Sequence, residues 1–254
     1  MSREASSINT VCLSGWIGCL LLLLAPFAQA QEDYGKSDDP VAAEALGIEI
    51  RTRNPGEMAY VIKQVLSVNY GKEHDLLATD AEVKQFAARK KELDARTRNE
   101  VQARQSEIEK ALQAETLPET ERNQLEGELK FLEKMQKAAQ DADKQASNPE
   151  RSAAETQMAR AIIGQWKVNK ALYKQYGGRV IYQQGGAEPL DAYYKFFKGA
   201  QQAGKLKIMN KEFETAFWGY YTSDSKHRFY PDNGAEKEKA INTPWWQTAP
   251  QSGK

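Results

Sequence analysis

Seventeen of the chain's 24 aromatic residues lie from Trp166 onward. Aromatic side chains bury the largest apolar areas, so the best-packed core must form in this half of the chain. It is organised around Gln157 to Gln184, QMARAIIGQWKVNKALYKQYGGRVIYQQ. Met158, Ile162, Trp166, Ala171 and Tyr173 fit one helical face, Gly177-Gly178 stops the helix, and Arg179 to Gln183 alternates as a short strand. Tyr193, Tyr194, Phe196, Phe197, Phe213, Phe217, Trp218, Tyr220 and Tyr221 supply more of that core.

Between Gly71 and Gln157 only Phe86 and Phe131 are aromatic, so this region must fold as something thin. Thr79-Asp80-Ala81-Glu82 is a capping box that opens a helix. Val83, Phe86, Leu93, Val101, Ile108 and Leu112 make a narrow apolar seam along it, close to a coiled-coil repeat. Running to about Glu115, such a helix is roughly 54 Å long at 1.5 Å per residue. Pro118 marks the turn, and Leu125, Leu129, Leu132, Met135, Ala139 and Ala142 form a second seam. Asp80/Lys84, Glu92/Arg96, Asp94/Arg98, Glu100/Arg104, Glu126/Lys130 and Glu133/Lys137 stand as acid-before-base pairs four residues apart. Thr79 to Ala146 therefore reads as an antiparallel helical hairpin that protrudes, with Leu93 and Leu129 in the middle of its seam.

The N-terminus reads as a targeting segment. Val11 to Ala25 is apolar, Pro26 breaks it, and Ala28-Gln29-Ala30 is an A-x-A cleavage site, giving a mature chain from Gln31 without a membrane span. An uncleaved anchor is the alternative, because Glu4 offsets Arg3. A lipoprotein anchor on Cys19 does not fit, since leucines follow the cysteine. Both cysteines, Cys12 and Cys19, lie inside this segment, so the mature chain has neither a disulfide nor a cysteine nucleophile. Lys+Arg and Asp+Glu both number 35, so no global field draws in nucleic acid. Lys167, Lys170, Lys174 and Arg179 do interleave with aromatics, but helix-core packing accounts for that pattern.

Along the remaining chain, Gln31 to Leu46 reads as a disordered lead-in with a helical turn over Val41–Leu46. Gly47 to Thr52, GIEIRT, alternates as an edge strand, and Asn54-Pro55 starts a helix that Gly71 ends. Asn148-Pro149 repeats the helix start, and Gly185-Gly186 is a turn. Pro189 opens a helix over Leu190 to Ala203 closed by Gly204, and Asn210 caps another through Tyr221. Thr222 to Gly234 is a loop, and Ala235 to Ile241 adds a last helical turn or two.

Motifs for chemistry are few. His74 and His227 stand in no metal-binding spacing, and neither a nucleophile elbow nor a phosphate loop is present. Glu188 and Asp191 flank Pro189, as first-turn acids of a helix do, and Asp224 lies near His227; a hydrolase acid/base pair is the alternative reading of these carboxylates. For peptide binding the candidates are Tyr182, Tyr193, Phe197, Trp245 and Trp246, with the Arg179–Tyr182 strand edge open to β-augmentation. Trp245-Trp246 is read as a lid over the core, with a surface patch as the alternative.

Gly47 to Phe86 resembles the start of the N-terminal chaperone domain of SurA-type periplasmic foldases. The likeness rests on GIEIRT, on EMAYVIKQVLSVNYGKEHDL and on the helix opened by ATDAEVKQF. It implies a helix-rich protein that binds unfolded outer-membrane proteins. The parvulin isomerase domain many such foldases carry has no counterpart here, so prolyl isomerisation is not expected.

The expected fold is mainly α: a helical body with one or two short strands, plus a protruding antiparallel helical hairpin. The expected divisions are a signal peptide over 1–30, a lead-in over 31–46, a body from 47–78 plus 148–246, an arm over 79–147 and a disordered tail over 247–254. The expected function is a periplasmic, chaperone-like, non-catalytic protein that binds unfolded or envelope proteins, without cofactor or metal. The alternatives are an envelope adaptor docking through its coiled-coil hairpin, and a hydrolase using Glu188, Asp191 or Asp224.

Overall fold

A computed structural model describes residues 38–144, 148–183, 185–232 and 234–247, excepting the Trp245 side chain. The signal segment, residues 31–37 of the lead-in and nearly all of the expected C-terminal tail lie outside the described residues.

The chain enters through a strand. β1 (Val41–Ala45) turns at Leu46-Gly47 into β2 (Ile48–Arg51), with both turn residues at positive φ, 53° and 79°. That is the backbone of a two-residue hairpin whose twist matches its strands. The helical turn and disordered lead-in expected over 41–46 are therefore corrected. Val-Ala-Ala-Glu-Ala-Leu is rich in helix formers, but tertiary pairing overrides that propensity. β1 is the central strand of a three-stranded antiparallel sheet in the order β2-β1-β5, where β5 is Leu206–Ile208. Ala42, Ala43 and Ala45 are all buried, so β1 is closed in on both faces.

The helices begin where their caps specify. Asn54 accepts from the amides of Gly56 and Glu57 at the head of α1 (Pro55–Glu73). Gly71 does not end this helix. It lies buried in the last turn, and a Cβ there would stand 3.4 Å from Val168 Cγ2. Val168 belongs to α4 (Pro149–Tyr176), the long helix that packs against α1 and is capped by Asn148 at its start and Gly177 at its end. β3 (Ile181–Gln183) and β4 (Gly186–Glu188) form a second antiparallel pair. α5 (Leu190–Gln202), α6 (Lys211–Thr222) and the short α7 (Ala235–Asn242) complete the body. Its main core joins Ile50, Met58, Ile62 and Leu66 to Leu172, Tyr193, Phe197 and Phe217, so the aromatic half is closed by the N-terminal sheet and α1.

The hairpin consists of α2 (Asp80–Leu112), opened by the complete Thr79/Glu82 capping box, and α3 (Glu119–Lys144). At 33 and 26 residues they are about 50 and 39 Å long. α3 packs chiefly on α2. Val101, Ile108 and Leu132 form the arm's own core, flanked by Leu112, Leu125, Leu129 and Met135. Phe86 does not belong to it. Phe86 packs with Ala159, Ile163 and Trp246, which roots the first turns of α2 in the body. Leu93 is only half-buried and stands outside the arm's apolar cluster.

Candidate functional site

The side chains singled out for peptide binding are mostly enclosed. Tyr193 and Phe197 are fully buried in the main core, and Tyr193 hydrogen-bonds Gln165 and Asn169 of α4. Phe197 sits about 5.5 Å, ring to ring, from Tyr193, Phe217 and Tyr221. Trp246 is buried against Phe86 and Trp166 at centroid distances of 5.3 and 5.8 Å, as the lid reading expects. These three are corrected as contact residues, because a core side chain has no face left for a bound segment. Trp245's side chain lies outside the described residues. Tyr182 is half-buried and stacks on Tyr230 at 3.6 Å, while its hydroxyl donates to Glu236.

The strand edge is also taken. β3 pairs with β4 on one side, and on the other Tyr182 N–H donates to Arg228 O while Tyr230 N–H donates to Val180 O, both at 2.9 Å. The loop after α6 thus occupies the edge that β-augmentation would need.

The three carboxylates serve the fold. Asp191 accepts from the backbone amide of Arg179 at 2.8 Å and from its guanidinium, which also reaches Asp224 at 2.6 Å. Burial pushes the Asp191 carboxyl up, but the Arg179 bonds outweigh it and hold the group below its usual value of 3.8. Glu188, 6% exposed at the end of β4, accepts from Lys63 Nζ at 2.6 Å and from the Tyr220 hydroxyl at 3.4 Å. Lys63 stands on the inner side of α1, 125 residues away in sequence, and also lies 4.8 Å from the Tyr193 ring centre. Glu188 is thus held by Lys63, while Asp191 and Asp224 share the one guanidinium of Arg179.

Above this ion pair lies a cleft of about 460 Å³ between α1 and α6. Ala59, Tyr60 and Lys63 line one wall, and Phe217, Tyr220 and Tyr221 the other. Tyr60 is 44% exposed. Burial, followed by the charge of Glu188, pushes the Tyr220 hydroxyl up to about 12, so at neutral pH it is a hydrogen-bond donor and not a base. The cleft is apolar, edged by tyrosine hydroxyls, of which that of Tyr220 is held by Gln183 and Glu188, and by the Lys63 ammonium, the character of a ligand-binding surface. The cleft's walls come from α1 and α6, and no sequence motif spans them; only the Tyr220/Phe217 spacing hints at one side.

The remaining exposed apolar side chains are scattered, and the arm carries the most exposed. Phe131 on α3 is 58% accessible; Leu77 and Met209 also face solvent. Among the described residues no group of three or more His, Cys, Asp or Glu side chains is placed to hold a metal, and no helix is long and apolar enough to cross a membrane. Comparison of the chain with family models, with curated proteins and with solved structures finds no match.

Proposed function

We propose that this chain is an exported, non-catalytic binding protein of the cell envelope, with the helical hairpin as its docking element. The observation that carries the reading is Phe131, a large aromatic standing exposed on the arm, about 100° around the helix from the buried core residue Leu132. Single exposed apolar residues are ordinary on a body surface. On a slender arm with a separate core, an aromatic facing outward matches a contact residue better than a packing residue. The carboxylates are committed to Arg179 and Lys63, which weighs against the hydrolase alternative. A photo-crosslinking side chain at Lys134, on the arm, should give one discrete adduct in envelope extracts, and the same group at Met209, on the body, should not. Discrete adducts from Met209 alone would overturn the assignment to the arm.

A second reading, binding of unfolded polypeptide, is supported by the α1–α6 cleft, whose aromatic walls suit an apolar side chain. It predicts that the protein suppresses light scattering from an aggregating outer-membrane protein, and that Tyr60→Asp weakens the suppression. Unchanged scattering at a several-fold molar excess would remove this reading.

A further inference from the structure

We propose that the outer face of α3 is a self-association surface, on which a second copy of this chain packs antiparallel with Phe131 of each copy seated over Gly127 of the other. This rests on the docking-arm reading above and names its partner. The face follows from helical spacing. Thr120, Gln124, Gly127, Phe131, Lys134 and Ala138 recur at three and four residues and form one stripe, away from the Leu125–Leu129–Leu132 seam. All six are exposed.

Within that stripe Phe131 is a knob and Gly127, one turn earlier, is a notch. A Cβ at Gly127 would meet nothing within 4 Å, so nothing in the chain's own packing requires glycine there. Glycine in a helix interior weakens the helix, and its usual compensation is the close approach of another surface. A two-fold axis near Leu129 brings Phe131 opposite Gly127, Lys134 opposite Gln124, and Ala138 opposite Thr120. Phe131 meets Gly127 twice across the axis, and the flanking steps pair long with long and small with small, so the stripe can face its own copy, as an isologous contact demands.

Charge selects the same orientation. On one flank of the stripe the first half of α3 carries Glu119 and Glu126, and the second half carries Lys130 and Lys137, with Lys134 on the stripe itself and Asp141 further on paired with Lys144. Antiparallel pairing sets acids against bases, whereas parallel pairing sets like against like. The arm's internal ion pairs use other residues of α3, namely Glu128 with Arg104 and Asp143 with Arg98.

Sedimentation equilibrium on the chain from Gln31 to Lys254, which includes every described residue, tests the proposal. A contact confined to one helix face is weak, so monomer should convert to dimer between about 1 and 100 µM. Phe131→Ala should weaken association at least about tenfold. Gly127→Gln should do the same while leaving far-UV helicity equal or higher, so that loss of the arm cannot explain it. Glu126→Lys and Lys134→Glu should each weaken the dimer, and the double exchange should restore it. A chain that stays monomeric over the whole range overturns the proposal, as does a dimer that Phe131→Ala and Gly127→Gln leave unchanged. A monomer that still gives the arm-specific adduct sinks only the self-association, and the docking-arm reading survives.

Discussion

Gly178 occupies the most demanding backbone position at the junction of α4 and β3. Its φ is +100°, and a Cβ there would lie 2.5 Å from the Asp191 Cβ. Gly178→Ala combines left-handed strain with a clash against a side chain fixed by Arg179, and should cost about 2 kcal/mol or more. A fall in the urea midpoint at unchanged m-value would show it. Asp191 itself supplies a pH dependence. Because its folded-state pKa is depressed, its contribution is fully present above the unfolded value near 3.8 and is lost as pH falls through the lower folded value. Asp191→Asn should therefore lower stability at pH 7 and flatten the loss seen between about pH 5 and pH 2, measured as urea midpoints across that range. The Lys63–Glu188 pair is more buried. Removing one partner leaves a charge without its mate, so Glu188→Ala should destabilise by about 3 kcal/mol, the low end for buried pairs because Lys63 keeps some solvent contact. Lys63→Met with Glu188→Gln should cost less than the sum of the single changes in a double-mutant cycle.

At the scale of elements, the caps were legible in the sequence because they act over three or four residues. Asn54, Thr79, Asn148 and Asn210 each cap the helix their spacing announces. What depends on distant partners was not legible. Gly71 looks like a stop signal, yet it is a place where α4 approaches α1. The acid-before-base spacing on the arm suggests one set of pairs, whereas Glu92, Asp94 and Glu100 bond Arg89, Lys90 and Arg96, the bases that precede them. Arg104 meets Glu128 across the hairpin, which fixes the register of α2 against α3 more than it adds stability. The seam of α3 was legible, but on α2 Val83 and Phe86 pack into the body and Leu93 stands outside the cluster, and depth was legible on neither helix. Ile108 and Leu132 are the enclosed residues, and Leu93 and Leu129 are only half-buried. Ile108→Ala with Leu132→Ala should each remove about 2–5 kcal/mol from a core with few other large buried side chains. The arm should then melt first: far-UV circular dichroism should lose a helical fraction at low temperature. Fluorescence from Trp166, Trp218 and Trp246 should keep its original transition, because these lie in the body. Simultaneous collapse of both signals would show that arm and body are one cooperative unit.

For the molecule as a whole, the consequential difference from the sequence reading lies in residues 38–46. Read as a lead-in, they are dispensable; placed as β1, they are the strand on which the first and last thirds of the body meet. β1 joins β2 through Ala43↔Ile50 and Ala45↔Ile48, and joins β5 through Ala43↔Ile208 and Ala45↔Leu206. Its small side chains allow close packing, and it shares the main core with Met58, Val61 and Ile62 of α1. Without β1, the strands β2 and β5 lose their common partner, and unpaired edges beside an uncovered apolar core invite aggregation. A chain beginning at Asp38 should therefore fold with the full urea transition. A chain beginning at Gly47 should lose the cooperative transition of the body and precipitate, although it removes only nine residues more. The arm offers an internal control, because its core of Val101, Ile108 and Leu132 has no contact with β1. If the shorter chain remains soluble and unfolds at the original urea midpoint, β1 is not the central strand and the sheet order is wrong.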